Sequence, residues 1–193
     1  MRDKGDREEE DALLMAKIGR ADTGALETLY HIYRPRLHRF LLALKCAEAE
    51  LDEVCNETFY VVWRKARTFD GSCRLSTWIF GIARNKVMDI NRKERRRAAT
   101  HSETEMETLP ETRLDGAERL ELSQCLEIAL DRLPADQRAV IELAFLDGLS
   151  YQEIAGVMDC PESTIKTRMF HARRKLRQSF PEFVNTRNRR TAG

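Results

Sequence analysis

Two runs of helical apolar spacing in residues 149–178, parted by a proline, constrain this chain more than any other stretch. In LSYQEIAGVMDCPESTIKTRMFHARRKLRQ, Ser150 is placed to cap a helix, and Glu153 follows three residues on, the spacing of a capping box. Tyr151, Ile154, Ala155 and Met158 then recur at helical intervals. Pro161 pushes the residue before it out of the α region, so Asp159-Cys160-Pro161 reads as a turn. A second helix follows, with Ile165, Met169, Ala172 and Leu176 on one face. Its other side carries Ser163, Thr167, Phe170, His171 and Arg174, flanked by Lys166, Arg168, Arg173, Lys175 and Arg177. One apolar stripe for docking and one basic face for contact are what the recognition helix of a helix-turn-helix brings to a DNA groove. The competing reading is an ordinary amphipathic helix with a solvated basic face. Pro161 and the concentration of cations in one helix argue against it.

The rest of the chain is consistent with an all-α protein. Glycine and proline number only 9 and 5 in 193 residues, too few for a chain of many tight turns, and strand-like alternation is weak. Residues 1–9 read as a polar tail, and a helix starts near Glu10 with Leu13, Leu14, Ala16, Lys17 and Ile18. Asp22 or Thr23 caps a second helix with Leu26, Leu29, Tyr30 and Tyr33 apolar. Pro35 is a mild break or the first turn of a further helix, which carries Leu37, Phe40, Leu41 and Leu44. Asp52 opens another helix, with Val54, Cys55, Phe59, Val62 and Trp63 apolar. Phe69–Cys73 is a loop, and Ser76 caps a long helix to about Arg97. Residues 98–120 are acidic and lack apolar periodicity, the composition of a flexible linker. About 23 extended residues reach roughly 75–80 Å, so the flanking domains could occupy separate sites on one duplex. A second domain, 121–180, follows: a helix with Leu122, Leu126, Ala129, Leu130 and Leu133, a break at Pro134, and a helix capped by Asp136 and stopped by Gly148. The helix-turn-helix completes it, and 181–193 is a polar tail.

Net charge is only +1, and its distribution says more. Cations gather in 84–97 and 166–177, anions in 103–121. The helix STWIFGIARNKVMDINRKERRR is the second loaded element. Ile79, Ile82, Ala83, Val87 and Ile90 can pack inward. Trp78, Arg84, Asn85, Lys86, Asp89, Arg92, Lys93, Arg95, Arg96 and Arg97 form a polar, cationic remainder. Basic side chains bind phosphates without regard to sequence, asparagine can read base edges, and aromatic rings stack on unpaired bases. Trp78 is open to two readings, a core ring or a stacking platform, and Asp89 beside the arginines reads as a structural ion-pair partner.

The five cysteines are scattered and read as reduced thiols in a cytosolic protein. No closely spaced ligand set suggests a metal, and no cofactor is implied. No apolar run has transmembrane length, and the charged N-terminus does not read as a signal peptide. The histidines lack a partnered nucleophile, so an enzyme is not expected.

Together these elements resemble the extracytoplasmic-function (ECF, group 4) sigma factors of the sigma-70 family. LDEVCNETFYVVWRKARTFDG is similar to region 2.2 and the loop after it, and RLSTWIFGIARNKVMDINRKERRR to regions 2.3–2.4. LDRLPADQRAVIELAFLDGLSYQEIAGVMDCPESTIKTRMFHARRKLR is similar to region 4. The resemblance implies region 2 over 10–97 and region 4 over 121–180. It implies partners too: core RNA polymerase through its β′ clamp helices and β flap, promoter DNA, and an anti-sigma factor. It assigns polymerase binding to Asp52, Glu53, Asn56, Glu57 and Thr58. It assigns −10 capture and melting to Asp70, Gly71, Ser72, Cys73, Trp78, Arg84, Asn85, Lys86, Arg92, Lys93 and Arg96. It assigns −35 contact to Ser163, Thr164, Lys166, Thr167, Arg168, Phe170, His171 and Arg174. Asn56 stands where the family often has glutamine, and His171 where many members have arginine. The expected function is promoter recognition and transcription initiation in a stress or environmental response, in the cytoplasm. A stand-alone helix-turn-helix regulator would explain 120–180 but not the basic helix 76–97. A sigma mimic that only binds an anti-sigma factor could dispense with its basic surfaces, and both are present here.

Overall fold

The computed structural model describes residues 4–100 and 126–179, and its regular elements are all helical, with no strand among these residues. The first group comprises α1 (Lys4–Ile18), α2 (Thr23–Ala43), α3 (Glu48–Lys65) and α4 (Leu75–Thr100), with a 3₁₀ turn at Ala66–Thr68 between the last two. The second begins with a short helical segment at 126–131 and continues through α5 (Ala135–Phe145), α6 (Tyr151–Met158) and α7 (Glu162–Ser179). The expected acidic linker lies almost wholly outside the described residues, as do residues 121–125 and the 181–193 tail.

Several helix boundaries differ from expectation. The backbone is helical from Lys4, well before Glu10. The run GDREEED is rich in helix-forming glutamates, and acidic groups near a helix N-terminus favour its dipole. Pro35 neither starts nor breaks a helix: it sits inside α2 on an exposed position. Its missing N–H leaves the His31 carbonyl on a solvent-facing turn, while Tyr33 and Leu37 pack beneath it. α3 starts four residues before Asp52, at Glu48, where Glu48 and Glu50 occupy the first turn. α4 starts at Leu75, so Ser76 is a buried residue of the first turn rather than its cap. α4 also runs on to Thr100, past the expected start of the linker at 98. α5 is preceded by Pro134 at the N-cap, and Asp136 serves instead as an ion-pair partner.

Other local readings hold. Asp22 Oδ1 accepts from the Ala25 N–H at 3.0 Å. The capping box is complete: Glu153 N donates to Ser150 Oγ at 3.3 Å, and Ser150 N donates to Glu153 Oε2 at 2.6 Å. Gly148 takes φ +66°, the left-handed conformation that stops the chain after α5. Asp159 also has positive φ, which ends α6 even before Pro161 acts.

The two groups share one apolar core. Leu29, Leu37, Phe40, Leu41, Ile79, Phe80 and Ala83 are fully buried in the first, and Val140, Leu143, Ile154 and Ile165 in the second. α2 packs against α5, and α4 packs against α6.

Candidate nucleic-acid interface

The recognition helix is held by a buried face. Ile165, Met169 and Ala172 are at most 2 % exposed, and these residues fix which side of α7 looks outward. Ser163, Lys166, Thr167, Phe170 and Arg174 are exposed on that side, and Thr164 and His171 half-exposed. Phe170 stands out at 62 % exposure, its ring edge-on to His171 at 5.5 Å. A large apolar ring left in water beside His171 suits contact with an apolar group such as a thymine methyl. Lys166 Nζ pairs with Glu162 at 2.8 Å, and both partners are well exposed, so the pair is weakly held and the ammonium can exchange to a phosphate.

Arg168 is engaged within the protein. Its guanidinium is one-quarter exposed, donates to Asp136 Oδ2 at 2.5 Å and lies 3.5 Å from Cys160 Sγ. It braces α7 against α5 and the interhelical turn.

In the first group, the loop 70–73 has a defined shape. Asp70 accepts from the Ser72 N–H at 2.9 Å, which holds its carboxyl below the usual range. Gly71 takes φ +72° with no atom crowding the place of a Cβ, so the bend needs glycine for its backbone, not for room. Gly71, Ser72 and Cys73 are exposed. Trp78 is half-buried, and its ring tilts against Phe69 at 5.1 Å. Asn85, Arg92, Lys93 and Arg96 are exposed along α4. Arg84 is half-buried. Asp89 pairs with Arg92, as its position suggested. Lys86 turns the other way and reaches Glu57 of α3 at 2.7 Å.

On α3, Asp52, Glu53, Asn56 and Glu57 share one exposed face. Thr58 does not join them. It is fully buried, and its hydroxyl donates to the Val54 carbonyl at 2.7 Å, so it supports the helix from inside. Tyr60, missed in the sequence, extends the face at 60 % exposure, with Arg64 donating to its hydroxyl at 3.1 Å. Its spacing of four from Asn56 was the available signal.

A helix-turn-helix with an exposed basic face stands in one chain with a second basic helix that follows a loop backed by Phe69 and Trp78, an arrangement suited to binding DNA. Residues 29–97 match the family model for sigma-70 region 2, and residues 123–176 the model for sigma-70 region 4. The ECF RNA polymerase sigma factor RpoE of Cereibacter sphaeroides is 36% identical over 185 residues, covering 92% of this chain and 98% of that protein. The ECF RNA polymerase sigma-E factor of Escherichia coli K12 is 29% identical over 178 residues, covering 86% and 92%. Among solved structures, RpoE of Bartonella quintana in complex with the anti-sigma factor NepR aligns with TM-score 0.66 at 27% identity, covering 81% of this chain and 96% of that one. CnrH in complex with the cytosolic domain of CnrY gives 0.61 at 27%, covering 88% and 96%. The chain belongs to the ECF sigma factors of the sigma-70 family, which bind core RNA polymerase and direct it to promoters to initiate transcription.

Proposed function

We propose how the work is divided within this chain. Residues 10–97 and 121–180 act as regions 2 and 4, joined by 98–120. The α3 face of Asp52, Glu53, Asn56 and Glu57 docks on polymerase. Loop 70–73, Trp78, Asn85 and the cations of α4 take the melted −10 strand, and Ser163, Lys166, Thr167, Phe170, His171 and Arg174 read the −35 element. Arg168 positions the reading helix, and Lys86 ties α4 to the docking face. The chain supplies no catalytic group; the chemistry is the polymerase's. No described helix is long and apolar enough to cross a membrane, and the site of action is the cytoplasm. The complexes of the two structural relatives support an anti-sigma factor as a further partner.

The observation that carries the −35 assignment is the split of α7 into a buried apolar face and an exposed face where Phe170 stands beside His171 and Lys166. Replacing Lys166 or His171 with Ala in the holoenzyme is expected to cost about 1–3 kcal/mol of promoter binding if a base contact is lost. Fluorescence anisotropy with matched and altered −35 duplexes reads this. Unchanged affinity for both variants across all duplexes contradicts the assignment.

A further inference from the structure

The loop proposed to take the melted −10 strand is held mainly at its two ends. Gly71, Ser72 and Cys73 are exposed. Two open clefts border the loop. One, of about 400 Å³, is lined by Ala12, Met15 and Ala16 of α1 and by Phe69, Asp70 and Gly71. The other, of about 580 Å³, is lined by Gly71, Ser72 and Cys73 together with residues of α1, α4 and α6. The end that leads into α4 is fixed by burial, because Leu75, Ser76 and Thr77 are at most 8% exposed. The end that leads in from α3 is the 3₁₀ turn Ala66–Thr68, and of its three residues only Ala66 is buried.

Arg67 supplies what burial does not. Its Nε donates to the carbonyl of Gly19, 48 residues away, at 2.6 Å. α1 ends at Ile18, and the last carbonyls of a helix have no partner within it. Those of Met15, Lys17 and Ile18 accept from the backbone N–H groups of residues 19–22, and that of Gly19 accepts from the guanidinium. The donor is charged and stands at the negative end of the helix dipole, and both facts strengthen the bond. Gly19 permits the close approach: a Cβ there would stand 3.4 Å from Arg67 Cγ. Between this tether and the loop lie only two residues. Thr68 donates from its hydroxyl to the Lys65 carbonyl, and Phe69 sets its ring against Trp78. An exposed hydrogen bond of this kind adds little to folding. Its consequence is where the turn, and the loop that follows it, come to rest.

We infer that Arg67 is a positioning residue for strand capture: by tying the turn before the loop to the end of α1, it holds Gly71, Ser72 and Cys73 where they receive an unpaired base. The inference rests on the −10 role proposed above for the loop. Arg67 acts through the loop and not through a phosphate. The two roles differ in outcome. Losing a phosphate contact weakens binding of every sequence alike and lowers its salt dependence. Displacing the loop weakens binding only where the loop holds a base, and leaves the salt dependence as it was.

The test uses the full chain assembled with core polymerase. The probes are single-stranded non-template oligonucleotides covering the −10 region of a promoter that this holoenzyme transcribes, intact or with one base at a time replaced by an abasic site. Anisotropy reads their binding. With the parent chain, at least one abasic position is expected to cost about tenfold, the scale of one stacked base. Gly71→Ala, which strains a backbone at φ +72°, is expected to erase that penalty and so to mark the loop as the receiver. Arg67→Ala is expected to weaken the intact strand about three- to tenfold. It is expected to leave the sensitive abasic strand, the salt dependence, core polymerase binding and helical circular dichroism unchanged. Gly19→Ala changes no charge, crowds Arg67, and is expected to act in the same direction while adding nothing to Arg67→Ala. It also carries the test should Arg67→Ala fail to fold. Equal loss on intact and abasic strands, a reduced salt dependence, or additive effects of the two substitutions would each overturn the inference. So would an Arg67→Ala chain that binds the intact strand like the parent while Gly71→Ala erases the penalty. A parent chain with no sensitive position, or a full penalty in Gly71→Ala, would instead strike the −10 role of the loop and take the inference with it.

Discussion

Phe80→Ala is expected to destabilise the protein by about 3–5 kcal/mol, the range for emptying a buried aromatic site. Phe80 is fully buried on α4, edge-on to Phe40 of α2 at 5.2 Å, and roofed by the Arg36 guanidinium. Truncation removes the ring contact and the cation's aromatic neighbour together. Total stability of a domain is commonly about 5–15 kcal/mol, so this one change consumes a large share. Urea unfolding followed by circular dichroism measures it. Tyr60→Ala, at an exposed position on α3, is the control and is expected to stay within about 0.5 kcal/mol of the parent. A loss below about 1 kcal/mol for Phe80→Ala would mean that the site refills and that the core is less tightly built than its burial implies.

The second large effect falls on the proposed docking face. Glu53 and Glu57 are exposed four residues apart on α3. If the acidic face meets a basic partner surface, reversing both to Lys turns attraction into like-charge repulsion, which costs several kcal/mol, roughly 2–5, at an interface. It also breaks the Lys86–Glu57 pair, an exposed contact worth no more than about 1 kcal/mol to folding. The double variant is therefore expected to fold, to keep DNA contacts on α7, and to bind core polymerase at least tenfold more weakly in a competition titration. Unchanged affinity would move the docking surface off this face.

The fold was legible where one short segment carried both the pattern and its stop signal. The capping box, the Asp22 cap, Gly148 and the buried stripe of α7 all answered to residues within a turn or two of one another. Helix starts at Asp52, Ser76 and Asp136 were misplaced because a good capping residue marks a start only when the residues before it are not helical. Glu48–Leu51 were, and so was Leu75. Pro35 was misjudged because packing on both sides of it outweighs one lost hydrogen bond. In the candidate site, residue type was informative and direction was not. Thr58 and Arg168 have the right chemistry, but one faces its own helix and the other faces Asp136. The union of the two helix groups left no local trace. Arg36 and Asp147, whose ion pair joins them, are 111 residues apart, and neither carries a motif.

In vitro transcription from genomic promoter fragments, with purified core polymerase and this chain, tests the central claim most directly. The account predicts discrete run-off transcripts that require the chain, with thymines of the −10 region becoming permanganate-reactive, and a fall in that reactivity for Asn85→Ala without loss of polymerase binding. DNA binding through α7 with no retention on core polymerase and no transcript would contradict it, and would leave a helix-turn-helix regulator in its place.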